Sequence, residues 1–181
     1  MSPDQPAPQP DEKKLSAAIA LTMFFAGIGA TFFAMDLYDS TFLPLKIALA
    51  IFIVPGIVIT VLFFRVQLPQ KYHKPIIFML MLVMNTLSYG GILLYTFLAV
   101  NFYKADKKHV THWQIPFKHI DYYHADGSWI MANVDIEYKS IPKSYNIPAT
   151  ELPQGEFHSF NMGIAPGYWG YDVVESREPM K

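Results

Sequence analysis

Three long segments without a charged side chain dominate this sequence. Leu15 to Met35, Ile47 to Phe64 and Ile76 to Phe102 contain no Asp, Glu, Lys, Arg or His. A helix needs about 20 predominantly apolar residues to cross a hydrocarbon core about 30 Å thick, and each segment is near or above that length. The pattern predicts an integral membrane α-helical domain at residues 15–103, with three transmembrane helices at about 15–35, 44–64 and 76–102.

Composition narrows the classes of protein that fit this pattern. Charged residues make up 16% of the chain, below the roughly 25% of soluble domains. The formal net charge is −1, so we expect no basic surface and no nucleic-acid partner. The chain contains no cysteine, which excludes disulfide scaffolds, thiolate zinc sites and iron–sulfur clusters.

The loops between the helices predict an orientation. The second loop carries three basic residues, Arg65, Lys71 and Lys74, whereas the first carries only Lys46. Basic loops stay in the cytoplasm, so we predict a cytoplasmic N-terminus and an extracytoplasmic C-terminal domain, in a plasma or bacterial inner membrane. Residues 1–14 are predicted to form a proline-rich tail ahead of the first helix.

Small residues recur at every fourth position of the first span. These are Ala18, Thr22, Ala26, Ala30 and Ala34. Such spacing makes a smooth ridge on a helix, which lets another helix pack closely against it. The sequence leaves open whether the neighbour is another subunit or a helix of the same chain.

Polar residues of the third span fall on one face. Asn85, Ser88 and Tyr95 are separated by three and seven positions, so they face the same side of a helix. A polar group in hydrocarbon seeks a partner, so this face should point toward protein. A substrate contact at Asn85 is one interpretation, and we favour the other, an interhelical hydrogen bond worth about 1 kcal/mol.

The spans lack the groups that membrane transport machinery needs. Pumps, proton relays and ion-coupled transporters use ionisable residues inside the membrane, and the three segments have none. They also have no histidine for haem ligation. These absences argue against a transporter, a pump or a cytochrome.

The remainder of the chain, residues 104–181, is predicted to be a small β-rich domain outside the membrane. The clearest strand is Ser128 to Lys139, where apolar and polar residues alternate. It should form a hairpin with His119 to His124, and weaker strands are predicted at 110–117, 157–164 and 171–175. Four prolines indicate turns in the rest, and a domain of this size should need support from another surface.

Two features of this domain are candidate sites. Tyr168, Trp169 and Tyr171 lie among glycines and are candidates for partner binding, although we favour the alternative, an aromatic core plug. Imidazoles and a carboxylate could bind zinc or copper, the candidates being His109, His112, His119, Asp121 and His124. On a strand, His109 and His112 point to opposite faces, as do His119 and His124, so we predict no cofactor.

No catalytic motif occurs in the chain. A glycine-rich phosphate loop, a G-x-S-x-G elbow and an H-E-x-x-H helix are all missing, and we predict no enzyme activity. The leading hypothesis is a non-enzymatic accessory or scaffolding subunit of a membrane complex, bound to other subunits or to a second copy. The alternatives are a metal-handling or cofactor-assembly factor that uses the tail histidines and a membrane sensor or regulator.

Overall fold

The computed structural model describes residues 10–66, 75–125, 129–148 and 158–180. The helices are α1 (Pro10–Asp39), α2 (Leu45–Val66), α3 (Pro75–Asn85) and α4 (Gly91–Tyr103), with a π-helical segment at Thr86–Gly90 and a 3-10 turn at Lys107–His109. The strands are β1 (Thr111–Ala125), β2 (Trp129–Tyr138), β3 (Ile141–Pro148), β4 (Ser159–Ala165) and β5 (Val173–Met180). The predicted tail lies outside the described residues up to position 9, and α1 begins at Pro10.

Three helices are long and apolar enough to cross a membrane, which confirms that part of the prediction. They are Ala18–Asp39, Leu45–Phe64 and Pro75–Tyr103, with mean hydropathies of 1.9, 2.9 and 1.9. The third is one candidate span built from α3, the π segment and α4. Pro55 lies inside α2, where its missing N–H removes one helical hydrogen bond without ending the helix.

The chain divides into two compact units, with boundaries after Phe33, Ala48 and Tyr95. The first unit contains most of the helical residues, and glycine brings its backbones together. A side chain at Gly27 would overlap the backbone of Ser88, and one at Gly90 would overlap the carbonyl of Phe52. The π segment therefore lies in backbone contact with both α1 and α2. A π-helical turn of this kind occurs mostly as a single-turn bulge inside an α-helix.

The second unit is an antiparallel half-barrel sheet with the strand order β3-β2-β1-β4-β5. The predicted alternation in β2 is confirmed, because Ala132, Val134, Ile136 and Tyr138 are buried. The predicted hairpin also forms, with Ile120 opposite Val134. The predicted segments 110–117 and 119–124 form a single strand, β1. Its register with β2 shifts at a bulge between residues 117 and 119.

The third strand was missed because prolines predicted turns there. Pro142 and Pro148 both lie in β3, which is an outer strand of the sheet and can accommodate residues without an N–H donor. The preceding turn uses Lys139 and Ser140 with φ of 48° and 65°, in the left-handed region. Neither residue type favours that region, so the sequence carried no turn signal. At the other edge, β5 runs over Val173–Met180 instead of 171–175.

The connector between α1 and α2, residues 40–44, completes the core of this sheet. Thr41 and Val173 form an antiparallel bridge, flanked by backbone hydrogen bonds from Phe42 to Asp172 (2.8 Å) and from Val174 to Ser40 (2.9 Å). The Phe42 ring is 2% exposed and its centroid lies 4.5 Å from that of Tyr138. The small β-rich domain therefore gains support from another part of its own chain.

Candidate functional site

A polar cleft opens between the two outer strands of the half-barrel. It has a volume of about 480 Å³, within the usual range for ligand sites. Its walls are Ser144–Asn146 of β3 and Val174–Arg177 of β5, and Asp39 and Ser40 lie between them. Because β3 and β5 are the first and last strands of the sheet order, the cleft separates two strand edges.

Arg177 holds the principal positive charge on the cleft wall. Its guanidinium lies 4.1 Å from the ring centroid of Tyr145 and 5.5 Å from that of Phe160, so two aromatic faces fix its position. Among the described residues, the ion pairs found do not involve Arg177. It acts electrostatically on the Asp39 carboxylate of the same cleft, and its donors suit a carboxylate or phosphate.

Side chains of β3 satisfy the C-terminal end of α1 beside the cleft. The last carbonyls of a helix lack partners within the helix. Lys143 donates a hydrogen bond to the carbonyl of Tyr38, and the Tyr145 hydroxyl donates to the carbonyl of Asp39 at 3.2 Å. A lysine at this end also complements the helix dipole. These contacts attach the end of α1 to the sheet.

The burial of these two side chains changes their acidity. Lys143 is 5% exposed, and desolvation lowers the pKa of its ammonium to about 8 although the Asp39 carboxylate opposes the change. Desolvation likewise raises the pKa of Tyr145 to about 12, with Arg177 opposing. Both shifts favour the neutral form, as burial in a low-dielectric environment does.

A second candidate surface is the aromatic loop, Gly167–Tyr171, which Asn101 of α4 holds in place. Asn101 is fully buried, and its amide donates to the carbonyl of Tyr171 (2.8 Å) and accepts from the N–H of Trp169 (2.9 Å). Its backbone carbonyl accepts from the N–H of Tyr168 (3.3 Å). A side chain at Gly167 would overlap Asn101, so only glycine permits this approach.

The rings of the loop lie along α4 and remain open to their surroundings. Trp169 stacks on Phe97 with centroids 5.8 Å apart and planes 7° from parallel, and Tyr171 meets the same ring edge to face. Tyr168 and Trp169 are 55% and 50% exposed. Half-exposed rings do not fill a core, so these two are not the core plug that the sequence allowed.

The candidate metal ligands are distributed over separate pairs. His109 contacts Asp106 at 2.7 Å, and this hydrogen bond lowers the pKa of the Asp106 carboxyl. His119 contacts Asp121 at 2.9 Å. His112 is exposed, and the side chain of His124 lies outside the described residues. Within the described part of the chain, groups of three potential metal ligands do not occur.

The polar face of the third span makes contacts inside the helical unit. Asn85 donates to the hydroxyl of Thr60 at 3.0 Å, and Thr60 is fully buried. Ser88 is 5% exposed and donates to the carbonyl of Met84, while Tyr95 lies beside Phe33 with ring centroids 6.2 Å apart. Asn85 thus makes an interhelical hydrogen bond, which is the interpretation favoured above over a substrate contact.

The predicted small-residue ridge of α1 has two different environments. Ala18, Thr22 and Ala26 are exposed, whereas Ala30 is half-buried and Ala34 is buried. The close backbone contact of α1 with the π segment uses Gly27, the residue after Ala26. Thr31, the residue after Ala30, would meet a side chain placed at Gly91.

Three residues that shape the sheet core or the candidate sites were missed by the sequence analysis. Asn101 was detectable as a lone amide near the end of an apolar span, and Phe42 as part of an apolar pair in a short polar connector. Arg177 carried no local signal, because its role depends on the approach of β3 and β5.

The chain was compared with known proteins. No family model, curated protein or solved structure matches it significantly.

Proposed function

We propose that this protein is a non-enzymatic accessory or scaffolding subunit of a membrane complex. Three helices cross the bilayer, and the half-barrel binds an extended segment of a partner subunit outside it. The observation that carries this proposal is the polar cleft between two outer strands of one sheet.

Outer strands present unpaired N–H and C=O groups that can pair with another chain. In the described residues β3 pairs with β2 alone, and β5 beyond Val174 pairs with β4 alone. Arg177 adds a charged donor at the wall of the same cleft. An extended segment with an acidic side chain matches both features, because the strand edge binds backbone and the guanidinium binds carboxylate.

The connector supports a three-span topology. Phe42 and the strands share one hydrophobic core, so the first connector and the C-terminal sheet lie on the same side of the membrane. Three crossings satisfy this condition. The basic second loop favours a cytoplasmic position for itself. The first connector and the C-terminal sheet are then extracytoplasmic, as predicted above.

Labelling tests this orientation. Single cysteines that replace Ser40, in the connector, and Ser128 should react with an impermeant thiol reagent in intact cells. Protection of both until lysis would reverse the orientation, and reaction of one alone would contradict the three-span topology.

Co-purification tests the partner. The wild-type protein, solubilised in mild detergent from native membranes and crosslinked, should carry a stoichiometric second chain. Arg177→Glu should lose that chain, whereas Lys108→Glu, the same charge reversal on the exposed 3-10 turn, should retain it. Arg177→Met keeps an unbranched stem over Tyr145, so it separates lost charge from lost folding. Recovery of wild type only as a monomer would contradict the proposal.

A further inference from the structure

We propose that the aromatic loop inserts into the membrane–water interface, where Tyr168 and Trp169 contact lipid at the level of the headgroups and glycerol. This inference rests on the proposed membrane anchoring. It adds a second lipid contact, made by a loop between β4 and β5 instead of by a spanning helix.

The length of the third candidate span sets the depth of the loop. Pro75–Tyr103 has 29 residues, which gives about 43 Å of helix against a hydrocarbon core of about 30 Å. A centred span projects about 7 Å from the core at each end. Phe97 lies six residues before Tyr103, or about 9 Å along the axis, and therefore about 2 Å inside the core boundary.

The stacking contact places Trp169 at the same depth. Its ring lies parallel to that of Phe97, so the indole occupies the region where the hydrocarbon meets the headgroups. Tryptophan and tyrosine concentrate there because an apolar ring can face the chains while its polar group stays hydrated. Half of the Trp169 surface is exposed, which leaves the ring open to lipid.

The surrounding residues fit the same boundary. Tyr103 ends α4 and is 68% exposed. Lys104 follows it, with its ammonium 5.5 Å from the ring centroid of Tyr168. Lysine at this position can reach lipid phosphates while its stem covers apolar surface. The Tyr168 ring and the Lys104 ammonium over it therefore lie at the end of the third span.

Asn101 makes insertion inexpensive in conformational entropy. Its hydrogen bonds to the backbone at Tyr168, Trp169 and Tyr171 fix the loop before it meets lipid. A rigid loop loses little freedom when it binds. Asn101 is therefore a positioning residue for the two exposed rings.

Depth-dependent fluorescence quenching tests the inference. In a protein with Trp113→Phe and Trp129→Phe, Trp169 is the one remaining tryptophan, and its emission is followed. Reconstituted into phosphatidylcholine vesicles, it should be quenched about twofold more by a nitroxide near the headgroup than by one at the chain end. Aqueous acrylamide should quench it weakly. Strong acrylamide quenching without lipid quenching would overturn the inference, and protection from both would indicate a protein partner instead.

A matched protein retains only Trp129. Its backbone pairs with Ala125 at the far end of β1, about 45 Å along the strand from Thr111. This tryptophan should show no preference for lipid quenchers, and equal quenching of the two proteins would contradict a specific role for the loop.

Alkaline carbonate extraction separates this inference from the anchoring on which it rests. Protein that is washed from the vesicles would refute the anchoring itself. Protein that is retained but shows no lipid quenching at Trp169 would refute only the loop insertion. Asn101→Leu in the Trp169 protein should reduce the shallow quenching about twofold, because the loop loses its fixed position.

Discussion

Replacement of Phe42 by alanine tests whether the connector is part of the sheet core. The side chain is 2% exposed and belongs to a buried cluster drawn from the four strands β1 to β4, including Val134 and Phe160. Truncation removes about 150 Å² of buried apolar surface, worth about 4 kcal/mol at about 25 cal/mol per Å². This agrees with the roughly 3–5 kcal/mol typical of Phe→Ala in a core.

Thermal unfolding in mild detergent, followed by tryptophan fluorescence, measures the effect. For a unit of this size, a loss of 3 kcal/mol lowers the midpoint by about 12 °C or more. Phe42→Leu keeps most of the volume and should cost about 1 kcal/mol. Phe32→Ala is the control, since Phe32 is 67% exposed and the same truncation should change the midpoint little. If Phe42→Ala and Phe32→Ala have the same unfolding midpoint, the connector does not belong to the core.

Three further predictions concern buried and paired groups. Asn101→Leu leaves a loop carbonyl and a loop N–H without their partner, which should cost about 2 kcal/mol and speed hydrogen exchange of the loop amides. Lys143 has a pKa of about 8 in the folded state, below its ordinary 10.5, so the unfolded chain binds more protons between these values. Stability should therefore rise with pH from about 8 until tyrosines ionise near 10, and midpoints measured against pH should lose this rise in Lys143→Met. Elemental analysis after purification without chelators should find no stoichiometric zinc or copper, because His109 and His119 each pair with one carboxylate; stoichiometric metal would favour the metal-handling hypothesis instead.

Local patterns predicted the elements whose environment is uniform. The charge-free runs indicated three long apolar helices because a continuous apolar segment needs no knowledge of its neighbours. The alternation around Val134 and Ile136 indicated β2 for the same reason, since one face of that strand is buried from Ala132 to Tyr138. Both kinds of element can be predicted from the residues of their own segment, without knowledge of tertiary contacts.

The remaining features depend on tertiary contacts. Pro142 predicts a turn unless its strand is known to lie at the edge of a sheet. Lys139 and Ser140 enter the left-handed region without glycine, and the ion pair from Lys139 to Asp172 (2.7 Å) joins two residues distant in sequence. The polar cleft required the approach of β3 and β5, which no local pattern encodes.

The bridge between Thr41 and Val173 has a consequence for biosynthesis. The two residues are separated by about 130 positions, so at about 5–20 residues per second the ribosome needs roughly 7 to 26 s to make the second after the first. The backbone bridge to the connector forms only after that interval, because β5 is the last strand to be translated. An expression fragment that begins at residue 104 lacks Phe42. Such a fragment should aggregate, and supplying the connector as a fused segment should restore its solubility.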